Sequence, residues 1–90
     1  MDNKKSTKNR ASKSKAAFLK AFGEHVKKVR MASGYSQDRV YLEGQLSRAT
    51  MSRIERGEVD VQIWTLLRIS KTINVPLKKI TDFEWKPDYR

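Results

Sequence analysis

Apolar residues recur at helical spacing along most of this chain, and no stretch alternates long enough to suggest a strand. In "FLKAFGEHVKKVRMASG", Phe18, Phe22, Val26 and Val29 mark one face of a first helix, and Gly34 suits its stop. Ser36 then offers a side-chain cap and Asp38 a favourable charge for a second helix, with Val40 and Tyr41 turned inward. Gly44 punctuates, and Ser47 is placed to cap a third helix from about Arg48 to Arg56, closed by Gly57. Ile63, Leu66, Leu67, Ser70 and Ile73 follow the template of a fourth helix, which Asn74 can end in a left-handed conformation. Pro76 fits the first position of a short fifth helix with Leu77 and Ile80 inward. The pattern predicts an all-α fold, a compact five-helix bundle.

The third helix is unusual in what it leaves outside. "LSRATMSRIERGE" holds three arginines, yet only Met51 and Ile54 look like core anchors. At about 100° per residue, Ala49, Ser52, Arg53 and Arg56 gather on the side opposite those anchors, with Arg48 on one flank in the first turn. Two short helices joined by a few residues, the second with a polar outer face, form a helix-turn-helix. In that motif the second helix enters the major groove of DNA and presents its N-terminal residues to base edges. Groove entry accounts for the composition. Small residues such as Ala49 and Ser52 permit close approach, Ala49 can touch a thymine methyl, and arginine can grip guanine O6 and N7 with two bonds. Arg56 is better placed for phosphate, and the positive helix end around Gln37 offers another phosphate site.

Charge strengthens this picture. The chain has 90 residues, a net charge of +10 and 38% hydrophobic residues, enough for one core and too few for two. Residues 1–17 carry six Lys/Arg (Lys4, Lys5, Lys8, Arg10, Lys13, Lys15) against Asp2 alone. So polar a segment cannot offset its ordering entropy by burial, and the expected organisation is a disordered basic arm over 1–17. A domain over 18–81 and a tail over 82–90 follow it. No cysteine is present, which excludes a disulfide scaffold and cysteine-based zinc sites. No apolar run approaches the roughly 20 residues needed to span a bilayer, and no secretory leader follows the basic start.

"GYSQDRVYLEGQLSRATMSRIERGE", with the helix before it and "TLLRISKTINVPLKKI" after it, resembles the phage Cro/C1-repressor (Xre) type of DNA-binding domain over roughly residues 18–81. The carrying motifs are Ser36-Gln37 opening helix two, Ser47-Arg48 opening helix three, and Ser52 to Gly57 ending it, all in one register. The resemblance implies a lambda-repressor-like fold and sequence-specific binding of double-stranded operator DNA, commonly as a homodimer. It makes Arg48, Ala49 and Arg53 base readers, with Ser52 beside them. Gln37 becomes a backbone contact, joined as backbone candidates by Ser36, Ser47 and Arg56. It also pairs Arg30 of helix one with Glu55. Family members usually have a small residue where Tyr41 stands and glycine where Gln45 stands. Glu58 and Asp60 make the following loop acidic, so no phosphate contact is expected there.

Other features weigh less. His25, the single histidine, sits among charged residues, where a surface role suits it better than metal binding, which wants several ligands. One histidine and no cysteine provide no nucleophile–base pair, so no enzyme, metal or cofactor is expected. Trp64, Phe83, Trp85 and Tyr89 exceed what a small helical core needs, and a dimer surface or a packed tail would each use them. The expected function is a small dimeric transcriptional regulator, a repressor, in the bacterial cytoplasm on the nucleoid. The alternatives are an antitoxin with a toxin partner and autoregulatory DNA binding, or a non-specific binder of nucleic acid or anionic membrane driven by the arm.

Overall fold

A computed structural model describes the backbone of residues 2–85 and the side chains of residues 14–85. Five helices follow in order: α1 (Asp2–Ala32), α2 (Gln37–Glu43), α3 (Thr50–Glu55), α4 (Ile63–Ile73) and α5 (Leu77–Thr81). No strand occurs among the described residues, so the fold is all-α. The core draws on every helix: Phe22, Val26 and Val29 of α1, Val40 of α2, Met51 and Ile54 of α3, Leu66, Ile69 and Ile73 of α4, and Ile80 of α5. Phe18, expected on the inner face of α1, lies at its exposed margin, and Tyr41, Leu46 and Leu67 are half-buried. No helix is long and apolar enough to cross a membrane among the described residues.

Local signals account for most helix ends. The Ser36 hydroxyl accepts a bond from the Arg39 amide at 3.1 Å, capping α2 as its residue type favours. Asn74 takes the left-handed conformation (φ 61°) after α4, and Val75 packs on the core beyond it. Pro76 is the residue before α5 rather than its first, one position earlier than expected. Helix α1 runs without interruption through the boundary expected at residue 17. Extension of an already packed helix adds one hydrogen bond per residue and needs no burial, and no proline precedes Pro76.

Helices α1 and α3 cross backbone to backbone. A Cβ on Gly23 would collide with the carbonyl oxygen of Ile54 and come within 2.7 Å of that of Glu55. One on Gly57 (φ 73°) would lie 2.7 Å from Cα and N of Lys20. Each helix thus meets the other through a glycine, which fixes α3 against α1 with no side chain between them.

The turn between α2 and α3 is held from α4. Gly44 keeps a right-handed conformation, and Gln45 (φ 55°) takes the left-handed one at the position where the resembled family has glycine. The Arg68 guanidinium donates to the carbonyls of Gly44 (2.9 Å) and Gln45 (2.8 Å) and holds the strained turn closed. Gln45→Gly keeps those carbonyls and relieves a left-handed cost of roughly 1–2 kcal/mol, against an entropy penalty of about 0.5–1 kcal/mol. A higher urea midpoint, worth up to about 1 kcal/mol, is therefore expected. A lower midpoint would show that the Gln45 side chain stabilises the turn and that strain is not the dominant effect.

Residues 82–85 leave α5 without helical structure and return across α1. The Phe83 ring lies 5.7 Å from those of both Phe18 and Phe22, and Trp85 meets Phe18 edge-on at 5.3 Å. His25 stacks on Phe83 at 5.5 Å, and its Nε2 lies 2.8 Å from the Lys79 carbonyl oxygen. The histidine expected at the surface therefore ties α1 to the end of α5. Phe83 and Trp85 pack the tail, Trp64 remains 63% exposed, and Tyr89 lies outside the described residues.

Candidate nucleic-acid interface

Helix α3 is short, and its inner side is fully committed. Met51 and Ile54 enter the core, and Glu55 is buried beside them. Glu55 accepts two bonds from the Arg30 guanidinium, Nε to Oε2 at 2.6 Å and Nη2 to Oε1 at 3.0 Å. The remaining Arg30 branch donates from Nη1 to the Tyr35 carbonyl at 2.7 Å, and Gln37 donates from Nε2 to Glu55 Oε1 at 2.9 Å. One carboxylate thus joins the end of α1, the start of α2 and the last turn of α3.

The entry to α3 differs from the expected one. Residues 48 and 49 form a turn, and the helix begins at Thr50 rather than Arg48. The Thr50 amide bonds the Ser47 carbonyl at 3.1 Å, and the Ser47 hydroxyl bonds the Thr50 hydroxyl. That side chain therefore meets another side chain, and Ala49 occupies the cap position with no side-chain bond. At the far end the helix stops at Glu55, with Arg56 as its C-terminal cap. The expected span is one residue too long there and two at the start, where a three-residue turn bond replaces helical ones.

The outer side collects Arg48, Ala49, Arg53 and Arg56, all exposed, with half-buried Ser52 between them. Among the described residues, no side-chain hydrogen bond or ion pair engages Arg48 or Arg53. Arg53 borders a groove with Ser47, Thr50, Val59, Gln62 and Thr65, so α3 and the start of α4 share this face. Arg56 is differently placed. It holds Glu58 through Nε to Oε2 at 2.7 Å and Nη2 to Oε1 at 3.2 Å. The bond from Arg56 holds the Glu58 carboxyl below the usual glutamate range, and the bond to Glu58 raises the Arg56 pKa.

Of the backbone candidates, Ser36 keeps its hydroxyl hydrogen free while its oxygen caps α2. Gln37 is half-buried, and the second hydrogen of its amide is not used by the bond to Glu55. Ser47 is exposed beside Arg48. Two contributors escape a reading of the sequence. Thr50 completes the entry to α3, and Arg68 fixes the turn before it. Neither follows a periodic or motif signal, because each acts on a turn whose shape periodicity does not encode.

Comparison with known proteins agrees with this geometry. Residues 26–80 match the helix-turn-helix family. The chain is 36% identical over 63 residues to control protein C.BamHI of Bacillus amyloliquefaciens, covering 69% of this chain and 78% of that protein. The structure is similar to the restriction-modification controller protein C.AhdI from Aeromonas hydrophila, with a TM-score of 0.68 and 25% identity, over 72% of this chain and 94% of that one. It shares its fold with the hypothetical transcription factor NHTF from Neisseria, with a TM-score of 0.63 and 16% identity, over 69% of this chain and 71% of that one. A helix-turn-helix matched over most of the folded residues, in the register of its motifs, assigns the chain to the Cro/C1 (Xre) type of helix-turn-helix DNA-binding transcriptional regulators.

Proposed function

We propose that this protein regulates transcription by reading an operator as a homodimer, with the turn at 48–49 and helix α3 in the major groove. The observation that carries this reading is the pair of unengaged guanidiniums, Arg48 and Arg53, at the two ends of a helix whose other side is buried. Arg48, Ala49, Ser52 and Arg53 read bases, while Ser36, Gln37, Ser47 and Arg56 approach phosphates. The relatives named as control proteins suggest restriction-modification genes as its targets, with repression as its action and the cytoplasm as its place. None of the relatives' names points to a toxin, so the antitoxin alternative gains no support. Selection of bound duplexes from a random pool tests the proposal. A two-fold symmetric motif is expected, and a pool without enrichment would defeat it.

Dimer formation has a natural face. Ile63 and Trp64, 64% and 63% exposed, open α4 next to the groove that Arg53 borders. A second copy covering them would set two recognition helices side by side, as half-sites about 34 Å apart require. Trp64→Ser should shift sedimentation toward monomer and leave the melting temperature nearly unchanged, because the ring is not in the core. Unaltered self-association would place the interface elsewhere.

Arg56 reaches phosphate only when it lets go of Glu58. At neutral pH the carboxyl is charged and the pair persists, because its pKa is lowered; acid releases it only below the ordinary glutamate range. Glu58→Gln should free Arg56 at neutral pH and strengthen binding to operator and scrambled duplexes alike. The log–log salt slope should steepen by about 0.9 for one added phosphate contact. An unaltered slope would take Arg56 out of the interface.

A further inference from the structure

We infer that α1, carried past the folded core, is a second DNA-binding element that lies along phosphates flanking the site read by α3. This rests on the operator-reading proposal above and extends it to a part of the chain that the helix-turn-helix does not use.

The position of α1 follows from three contacts with the segment that ends and follows the recognition helix. Gly23 touches the Ile54 and Glu55 carbonyls, and Gly57 touches the backbone of Lys20. Farther out, Lys15 Nζ lies 3.3 Å from Asp60 Oδ2. Val61, the next residue, lines both the groove beside Arg53 and the apolar cleft under Phe18 and Leu19. The root of the basic segment and the recognition side are thus two faces of one short loop. The backbone contacts at the glycines leave α1 little freedom to swing away from it.

Helix α1 begins at Asp2, thirteen residues before Lys15. At 1.5 Å per residue this is about 20 Å of helix. Duplex DNA carries a base pair every 3.4 Å, so the segment can span roughly six base pairs. Lys4, Lys5, Lys8, Arg10 and Lys13 stand there against Asp2 alone. That charge excess serves no part of the folded core and complements a polyanion. A membrane surface fits less well, because a helix lying on a bilayer needs bulky apolar residues, and Ala11 is the only apolar residue from 2 to 15.

The test uses the selected operator in two duplex lengths, one ending at the motif and one with about ten further base pairs on each side. The full chain is compared with a variant carrying Lys4→Gln, Lys5→Gln and Lys8→Gln, and with a chain lacking residues 2–13. On the long duplex the triple variant should lower the salt slope by about 2.7, so that affinity varies on the order of forty-fold less between about 50 and about 200 mM salt. On the short duplex the change should largely vanish, and preference for operator over scrambled DNA should survive in both variants. An unaltered slope on the long duplex overturns the inference, as does disappearance of the preference itself. If the full chain binds phosphatidylserine vesicles and the variants do not, while their DNA slope stays put, the segment belongs to membranes and the inference is also overturned. Absence of any operator preference in the full chain would instead overturn the reading of α3.

Discussion

Glu55→Ala is expected to bring the domain close to unfolding at ambient temperature. Arg30 and Glu55 are each only 7% exposed, and three donors converge on the carboxylate, two from Arg30 and one from Gln37. Removing one partner of a buried pair costs about 3–5 kcal/mol, because the other charge is left without compensation. Domains of this size are stable by about 5–15 kcal/mol, so a destabilisation of this kind removes a large share. Each kcal/mol shifts the melting temperature by about 4–8 °C, so a drop on the order of 15 °C or more should appear in a thermal melt. The double variant Glu55→Ala with Arg30→Met should recover much of it, because an apolar side chain carries no charge to strand. A single-variant melting temperature within error of the parent's would mean that the pair is solvated and contributes as little as a surface bridge, about 0–1 kcal/mol.

Arg48→Ala and Arg53→Ala should do the reverse, leaving stability alone and weakening operator recognition. Both side chains are exposed and free of hydrogen bonds, and surface substitutions of this kind usually lie within about 0.5 kcal/mol of the parent. A bidentate contact to a base contributes about 1–3 kcal/mol of discrimination, roughly 5- to 150-fold in the operator-to-scrambled ratio. The two should relax specificity at different base pairs, since Arg48 precedes α3 and Arg53 lies near its end. Arg56→Ala is the control: removing a side chain that binds phosphate lowers affinity evenly across sequences. Competition binding against a panel of single-base operator variants separates the two patterns. If Arg48→Ala and Arg53→Ala bind operator and scrambled duplexes as the parent does, α3 is not the reading element.

Much of this site can be read along the chain because a helix's own periodicity separates its faces. The spacing of Met51 and Ile54 is enough to turn Ala49, Arg53 and Arg56 outward, and the structure exposes all three. Caps are also local, which is why Ser36, Asn74 and the stop before Gly34 are legible. Ser47 shows the boundary of that reasoning. Its residue type favours capping, but its hydroxyl is taken by Thr50, and the helix starts two residues later.

By itself, then, the sequence determined which residues form helices, which sides of those helices are buried, and that a basic, small-residue face stands opposite the core. Only the tertiary structure decided how the helices meet. Gly23 lies against Ile54 and Glu55, Arg68 reaches the carbonyls of the α2–α3 turn, and Phe83 with Trp85 closes over Phe18. It also set Arg56 against Glu58 and Gln37 against Glu55, leaving Arg48 and Arg53 as the cations without a partner on that face among the described residues. The reason is physical. Periodicity and capping act within a few residues of chain. Contacts across the fold depend on the distances and angles at which helices cross, and these are set by packing of the whole core.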